Sequence, residues 1–137
     1  MTYSGDLTPQ QAWEYLNNTP GALLVDVRTK AEWAFVGVPD TESTGRPARF
    51  VEWNTYPEGT QNPDFLTQLT EAGVTSETLV VFLCRSGARS IAAAEAATAA
   101  GLGPAYNVLD GFEGATDSAG HRGNAGWRAA GLPWKQS

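Results

Sequence analysis

The chain has 137 residues, of which 42% are hydrophobic, and it is expected to form a single domain spanning residues 1–137. Its net charge of −6 argues against nucleic acid or an anionic membrane surface as a partner. No apolar run is long enough to span a membrane, residues 1–20 show no signal peptide, and one cysteine requires no oxidising compartment. These features predict a cytoplasmic protein.

The first predicted elements are a helix and a buried strand. Thr8 and Gln11 have the spacing of a capping box, and Pro9 lies at the first helical position between them. This pattern predicts a helix that begins after Thr8 and ends before Pro20. The near-continuous apolar run 22–27 is typical of a strand that is buried on both faces of a sheet.

Three charged residues lie at the end of this strand and just after it. Asp26, Arg28 and Glu32 invite a catalytic interpretation, because two carboxylates flank an arginine. The simpler interpretation is structural support, in which Arg28 is held between both acids and the ion pairs fix the following loop. We therefore expect this group to position the site rather than to react.

Further elements alternate along the rest of the chain. Apolar patterns and helix-terminating residues predict a short strand over 50–53, a helix over 62–73, a strand over 78–83, a helix over 90–100 and a strand over 105–109. Strands that alternate with helices predict an α/β fold, with a mainly parallel central sheet and helices on both faces. Ligands of such sheets bind beyond the carboxyl ends of the strands.

The single cysteine lies at one of these strand ends. It begins a short polar loop between a buried strand and an alanine-rich helix, with the sequence Cys84-Arg85-Ser86-Gly87-Ala88-Arg89-Ser90. Amide groups at a helix N-terminus and two arginines favour negative charge, and therefore the nucleophilic thiolate form of a cysteine. A cysteine packed in the core would have apolar neighbours on both sides. The loop thus predicts a reactive or anion-binding site, with Cys84 as the nucleophile.

Each residue of this loop has an expected role. Backbone amides over 86–90, including those of Ser86 and Ala88, are expected to surround the sulfur, and Gly87 to let the backbone close around it. Arg85 is the candidate for binding an anionic substrate, with a solvated surface side chain as the alternative. Arg89 is expected to brace the loop. Ser90 is predicted to be the N-cap of the next helix and a hydrogen-bond donor to the sulfur.

Two segments fall outside the regular order of elements. Residues 37–62 and the glycine-rich residues 110–126 are long connections, and long loops in a compact domain are often functional. The second segment follows the strand over 105–109, so it is expected to flank the mouth of the cysteine site. His121 is the only histidine, and neither a second histidine nor a cysteine lies near it, so no metal is expected. No cofactor is expected either.

The cysteine loop resembles the active-site loop of the rhodanese family of sulfurtransferases. The family pattern is a cysteine, two residues, a glycine, one residue, an arginine, and then a serine or threonine. Two further segments resemble family signatures, namely Asp26-Val27-Arg28 with Glu32-Trp33, and Trp127 with Ala130-Gly131-Leu132-Pro133. The matches occur in the family's order across residues 22–134. In place of the family's Gly-His-Ile-Pro-Gly-Ala the chain has Gly37-Val38-Pro39-Asp40, and so lacks that histidine and the second glycine.

The resemblance implies a rhodanese-like three-layer fold and a two-step sulfur transfer. In the first step Cys84 would take a sulfane sulfur from thiosulfate or a similar donor and become a persulfide. In the second step a thiol, a cyanide-like nucleophile or a protein acceptor would remove that sulfur. The resemblance implies no cofactor, and it does not identify the physiological donor or acceptor.

Two other functions stay open at this point. Cysteine phosphatases and arsenate reductases have a similar loop, but five residues separate their cysteine from the arginine. Four residues separate Cys84 from Arg89, which makes a smaller cup. A non-enzymatic rhodanese-like binding module would need no cysteine, so the presence of Cys84 with both arginines argues against it.

Overall fold

A computed structural model describes residues 3–55, 58–85, 87–114, 118–121 and 125–136. Its central sheet has five strands, all paired in parallel, in the spatial order β1-β6-β5-β2-β4. These strands are β1 (Gly5–Leu7), β2 (Leu23–Asp26), β4 (Arg49–Phe50), β5 (Val80–Leu83) and β6 (Ala105–Val108). A separate antiparallel pair joins β3 (Val38–Pro39) to β7 (Trp134–Lys135). The predicted α/β architecture with a mainly parallel sheet is confirmed.

Helices cover both faces of the sheet. They are α1 (Pro9–Asn18), α2 (Lys30–Val36), α3 (Phe65–Glu71) and α4 (Ala88–Ala99), with a short 3-10 turn at Glu42–Thr44. One apolar cluster packs the sheet against α3 and α4, and a second cluster packs the opposite face against α1 and the buried Trp127. None of the helices in the described part of the chain has the length and apolarity that a membrane crossing requires.

The predicted start of α1 is confirmed at the level of single hydrogen bonds. The Gln11 amide donates to Thr8 Oγ1 over 3.1 Å, and the Thr8 amide donates to Gln11 Oε1 over 3.0 Å. Helix α2 was not predicted, and it begins with a second capping box formed by Thr29 and Glu32. The N-cap assigned to Ser90 is wrong, because Gly87 caps α4 and Ser90 is its third residue.

The sheet brings the candidate residues to one edge. β2 and β5 are neighbours in register, with Asp26 beside Leu83, so that Asp26 and Cys84 both lie at the carboxyl ends of central strands. The Val27 amide donates to the Leu83 carbonyl over 2.8 Å and extends this pairing. The site is therefore positioned by the two strands that are buried most deeply in the sheet.

Candidate active site

Cys84 lies between the end of β5 and the first turn of α4, with only 1% of its surface exposed. Its Sγ accepts a hydrogen bond from the Gly87 amide over 3.1 Å and lies 3.2 Å from Ser90 Oγ. The predicted ring of amides includes Ser86, which lies outside the described residues. Gly87 and the N-terminus of α4 both favour negative charge at the sulfur.

Gly87 is required at this position for its backbone conformation. Its φ of 124° lies in a region that residues with a side chain rarely adopt, although a Cβ there would meet no atom within 4 Å. A different residue at this position would strain the loop and move the amide that contacts the sulfur. Glycine was expected here so that the backbone could approach the sulfur closely, whereas the reason found in the structure is the backbone conformation.

Arg89 is held by Glu32 rather than being free in the loop. Its Nη1 and Nη2 atoms bind the two carboxylate oxygens of Glu32 over 2.7 and 3.0 Å. The predicted bracket of Asp26 and Glu32 around Arg28 is therefore wrong for Glu32. Arg28 is already held by Asp26, to which its Nε and Nη2 atoms donate, whereas Arg89 on α4 faces Glu32 and binds it at two points.

The Glu32–Arg89 pair fixes the charge state of both groups. Burial raises the pKa of Glu32, but hydrogen bonds from Arg89 and Thr29, together with the Arg89 charge, outweigh it and lower that pKa to about 2. The pKa of Arg89 is raised, mainly by its hydrogen bond to Glu32 and against the effect of burial, with the nearby Cys84 contributing. A permanent cation therefore lies beside the sulfur.

Glu32→Gln should make the protein less stable at neutral pH, with a loss that diminishes in acid. The folded state holds the pKa of Glu32 at about 2, below its ordinary 4.5, so its stabilising effect is present above pH 4.5 and disappears as the pH falls to about 2. Urea unfolding of parent and variant across this range measures it. Glu42→Gln is the matched control, because Glu42 pairs with Lys135 on the exposed surface. A Glu32→Gln deficit that stays constant between these pH values would contradict the assignment.

Asp26 and Arg28 form an ion pair that is completely buried. The Arg28 Nη2 atom donates to Asp26 Oδ2 over 2.7 Å and to the Gly37 carbonyl over 2.8 Å, and its guanidinium lies 4.3 Å from the centre of the Phe112 ring. The pair joins the end of β2 to the end of α2 and to the segment after β6. This part of the predicted structural support is present.

The first residues after β6 lie against the cysteine loop. The Phe112 amide donates to the Cys84 carbonyl over 2.8 Å, and the Glu113 amide donates to the Arg85 carbonyl over 3.0 Å. A side chain at Gly111 would collide with the Cys84 carbonyl oxygen, so glycine allows this close approach. The predicted segment 110–126 therefore begins at the site, whereas residues 115–117 and 122–124 lie outside the described part of the chain.

The remaining predicted residues have simpler environments. The side chain of Arg85 is exposed, as are Ala88 and His121. Arg85 is therefore placed to meet a ligand from solvent, and its role stays a prediction. No group of three or more residues that could hold a metal occurs within the described ranges. The expectation that the protein needs no metal or cofactor also stays a prediction.

Asn107 is the residue at this site that the sequence analysis missed. It lies on β6 with 1% of its surface exposed, and its Oδ1 is 2.5 Å from Ser90 Oγ. Its neighbours on the strand are mostly apolar. An amide side chain within such a run was the feature of the sequence that could have marked Asn107 as a buried polar residue. Such a residue must find partners in the core.

Comparisons with known proteins agree with this architecture. A family model described as "Rhodanese-like domain" matches residues 8–118. The crystal structure of Rv0390 from M. tuberculosis is 60% identical, with a TM-score of 0.91, and the match covers 98% of this chain and 99% of that chain. Protein RP600 of Rickettsia prowazekii is 37% identical over 120 residues, which is 88% of this chain and 86% of that protein.

A more distant structure shares the fold alone. The polysulfide-sulfur transferase homodimer from Wolinella succinogenes is 23% identical, with a TM-score of 0.63, and the match covers 95% of this chain and 77% of that chain.

Proposed function

This chain belongs to the rhodanese-like domain family, and we propose that it is a sulfurtransferase that carries sulfur as a persulfide on Cys84. The observation that carries the proposal is the position of the single cysteine between β5 and the N-terminus of α4, where the Gly87 amide donates to its sulfur. Donors that are fixed before the reaction stabilise an anionic sulfur without rearrangement.

The proposed reaction has two displacement steps. The Cys84 thiolate attacks the outer sulfur of thiosulfate; a sulfur–sulfur bond to Cys84 forms, the sulfur–sulfur bond of thiosulfate breaks, and its electron pair leaves with sulfite. A nucleophilic acceptor then attacks the terminal sulfur of the persulfide, and Cys84 departs as the thiolate. Electrons balance in both steps, so the cycle needs no external oxidant or reductant.

The arrangement of Arg89 favours sulfur transfer over phosphate chemistry. Both terminal nitrogens of Arg89 donate to Glu32, so the paired donor edge of the guanidinium faces that carboxylate rather than a tetrahedral oxyanion. The loop is also one residue shorter than that of the cysteine phosphatases considered above. Arg89 contributes positive charge near the sulfur, and Arg85, which is exposed, is the proposed contact for an anionic donor.

The proposed substrates follow from this chemistry. The donor is thiosulfate or another small molecule with a sulfane sulfur, and the acceptor is a thiol or a cyanide-like nucleophile, with a protein thiol as a further candidate. We also propose that the protein acts in the cytoplasm, where its single cysteine would stay reduced.

Mass spectrometry after treatment with thiosulfate tests the function. The expected result is a gain of one sulfur atom on the peptide that contains Cys84, with release of sulfite, and removal of this sulfur by cyanide or a thiol. Turnover of an aryl phosphate without sulfur uptake would instead support a phosphatase. If the protein showed neither sulfur uptake nor phosphate turnover with any donor of a broad panel, this result would support the non-enzymatic binding module.

Arg85→Ala should mainly weaken donor binding. The KM for thiosulfate is expected to rise about tenfold while kcat changes less than about twofold, because one charge-assisted contact to the bound anion is lost. Arg85→Lys keeps the charge without the two-point geometry and should give an intermediate KM. Steady-state kinetics of the three proteins measure this, and a fall in kcat at unchanged KM would contradict the role of Arg85.

A further inference from the structure

A buried hydrogen-bonded chain connects the sulfur of Cys84 to the protein surface. Ser90 Oγ lies 3.2 Å from Cys84 Sγ and 2.5 Å from Asn107 Oδ1, and Asn107 Nδ2 lies 3.0 Å from the carboxylate of Asp6 on β1. Asp6 is exposed and also accepts a hydrogen bond from the Tyr3 hydroxyl over 2.7 Å. The reaction described above makes no use of this chain.

Asp6 determines which way the Asn107 amide faces. An ionised carboxylate only accepts hydrogen bonds, so the Asn107 NH₂ group must point towards Asp6 and the carbonyl oxygen Oδ1 towards Ser90. The hydrogen bond to Asp6, followed by burial and the Asp6 charge, raises the pKa of Tyr3 to about 12, so that Tyr3 keeps its hydrogen and stays a donor to Asp6. Both partners of Asp6 are therefore donors.

The direction of the Ser90 hydroxyl follows from this orientation. Ser90 has one hydrogen and three neighbouring acceptors, namely Asn107 Oδ1 at 2.5 Å, the Gly87 carbonyl at 3.0 Å and Cys84 Sγ at 3.2 Å. Asn107 Oδ1 is the nearest of the three and can only accept. When the hydrogen points to Asn107, the Ser90 oxygen presents a lone pair to the sulfur and can accept from the thiol S–H.

A thiolate that accepted a second hydrogen bond, from Ser90 as well as from the Gly87 amide, would require the opposite arrangement. Ser90 would have to rotate its hydrogen towards the sulfur, which would leave Asn107 Oδ1 without that donor in a buried position. An unsatisfied buried acceptor is unfavourable. The series of hydrogen bonds from Cys84 through Ser90 and Asn107 to Asp6 therefore stabilises the thiol, while the Gly87 amide and Arg89 stabilise the thiolate.

We infer that Asn107 is a positioning residue that turns the Ser90 hydroxyl away from the sulfur and so favours the protonated thiol in the resting protein. The inference rests on the proposed function only in taking Cys84 as the nucleophile. Its consequence is a sulfur that alkylating and oxidising agents attack more slowly than the amide and the cation alone would allow, because the thiolate is the reactive form.

Alkylation of Cys84 by iodoacetamide, measured against pH, tests this inference without any sulfur donor. Asn107→Leu removes the nearest acceptor at similar volume, which leaves the Ser90 hydrogen to be shared between the Gly87 carbonyl and the sulfur. The midpoint of the rate profile should move to lower pH, and the rate on its acidic side should rise about fivefold, as expected for one hydrogen bond. The charged groups around the sulfur are unchanged in this variant: Arg85, Arg89, Glu32, Asp26 and Arg28.

Two variants at the exposed Asp6 give a matched comparison. Asp6→Asn removes the charge but keeps an oxygen that can accept from Asn107, so its profile should stay close to that of the parent. Asp6→Ala removes the acceptor, which lets the Asn107 amide turn its NH₂ group towards Ser90 and release the Ser90 hydrogen. Its midpoint should move in the same direction as that of Asn107→Leu. The difference between these variants is free of the charge effect, since both lack the carboxylate.

A double variant shows whether the effect passes through Ser90. In the Ser90→Ala background, Asn107→Leu should produce no further change in the profile. An unchanged or higher midpoint in folded Asn107→Leu would overturn the inference, as would a full shift in the Ser90→Ala background.

If thermal melts show that Asn107→Leu is unfolded, equal profiles for Asp6→Ala and Asp6→Asn would overturn it. Sulfur uptake from thiosulfate by the parent protein is measured in parallel. If the alkylation profiles of the variants shift as expected but the parent takes up no sulfur, the proposed function is refuted and this inference is supported.

Discussion

Cys84→Ser should fold like the parent protein and take up no sulfur from thiosulfate. The rate of sulfite release is expected to fall to below about a thousandth of the parent rate, because the thiolate is the nucleophile and the chain has no other cysteine. Serine keeps the size and polarity of the side chain, so the loop and the contact with Gly87 should be retained. Sulfite assays with mass spectrometry of the intact chain measure the effect.

Cys84→Ala separates loss of the thiol from any chemistry of the new hydroxyl. Both variants should show the same background rate, and thermal melts should place both close to the parent in stability. Sulfur uptake by either variant at a tenth of the parent rate or more would require another carrier and would refute the persulfide mechanism.

Arg28→Met should cause the largest loss of stability among these variants. The substitution leaves the carboxylate of Asp26 buried without its cation, and breaking a buried ion pair in this way costs roughly 3–5 kcal/mol. Loss of the contact between the guanidinium and the Phe112 ring adds to the effect. Urea unfolding measures the free energy, and a loss below about 1 kcal/mol would contradict the importance of the pair.

Arg46→Met is the matched control for this variant. Arg46 also donates to backbone carbonyls, those of Leu16 and Ala22 over 2.6 and 2.7 Å, and its side-chain hydrogen bonds within the described part of the chain reach no carboxylate. Its replacement should cost less, since no buried charge is left behind. Removing both charges in Asp26→Leu/Arg28→Met should restore part of the stability lost in Arg28→Met. A double variant less stable than Arg28→Met alone would show that the remaining charge is not the cause.

Local patterns in the sequence predicted much of the fold and the position of the nucleophile. The capping box at Thr8 and the apolar run over 22–27 describe backbone conformations that depend on neighbouring residues, and both agree with α1 and β2. The change from an apolar run to a polar loop placed Cys84 at a strand end. The same reasoning missed α2, because Glu32 was taken only as a charged partner and not also as part of a second capping box.

Pairings between distant residues were decided only by the tertiary structure. Glu32 had two candidate arginines, and it binds Arg89, which is 57 positions away, rather than the nearby Arg28. Asn107 and Asp6 are 101 positions apart and meet because β1 and β6 are neighbours in the sheet. The sequence by itself determined α1, α3, α4 and the buried strands β2, β5 and β6, and that the cysteine lies at a strand end, since those depend on local periodicity and capping. The choice of partner for each buried charge and amide depends on which side chains the parallel sheet brings together at its edge, and no local pattern records that geometry.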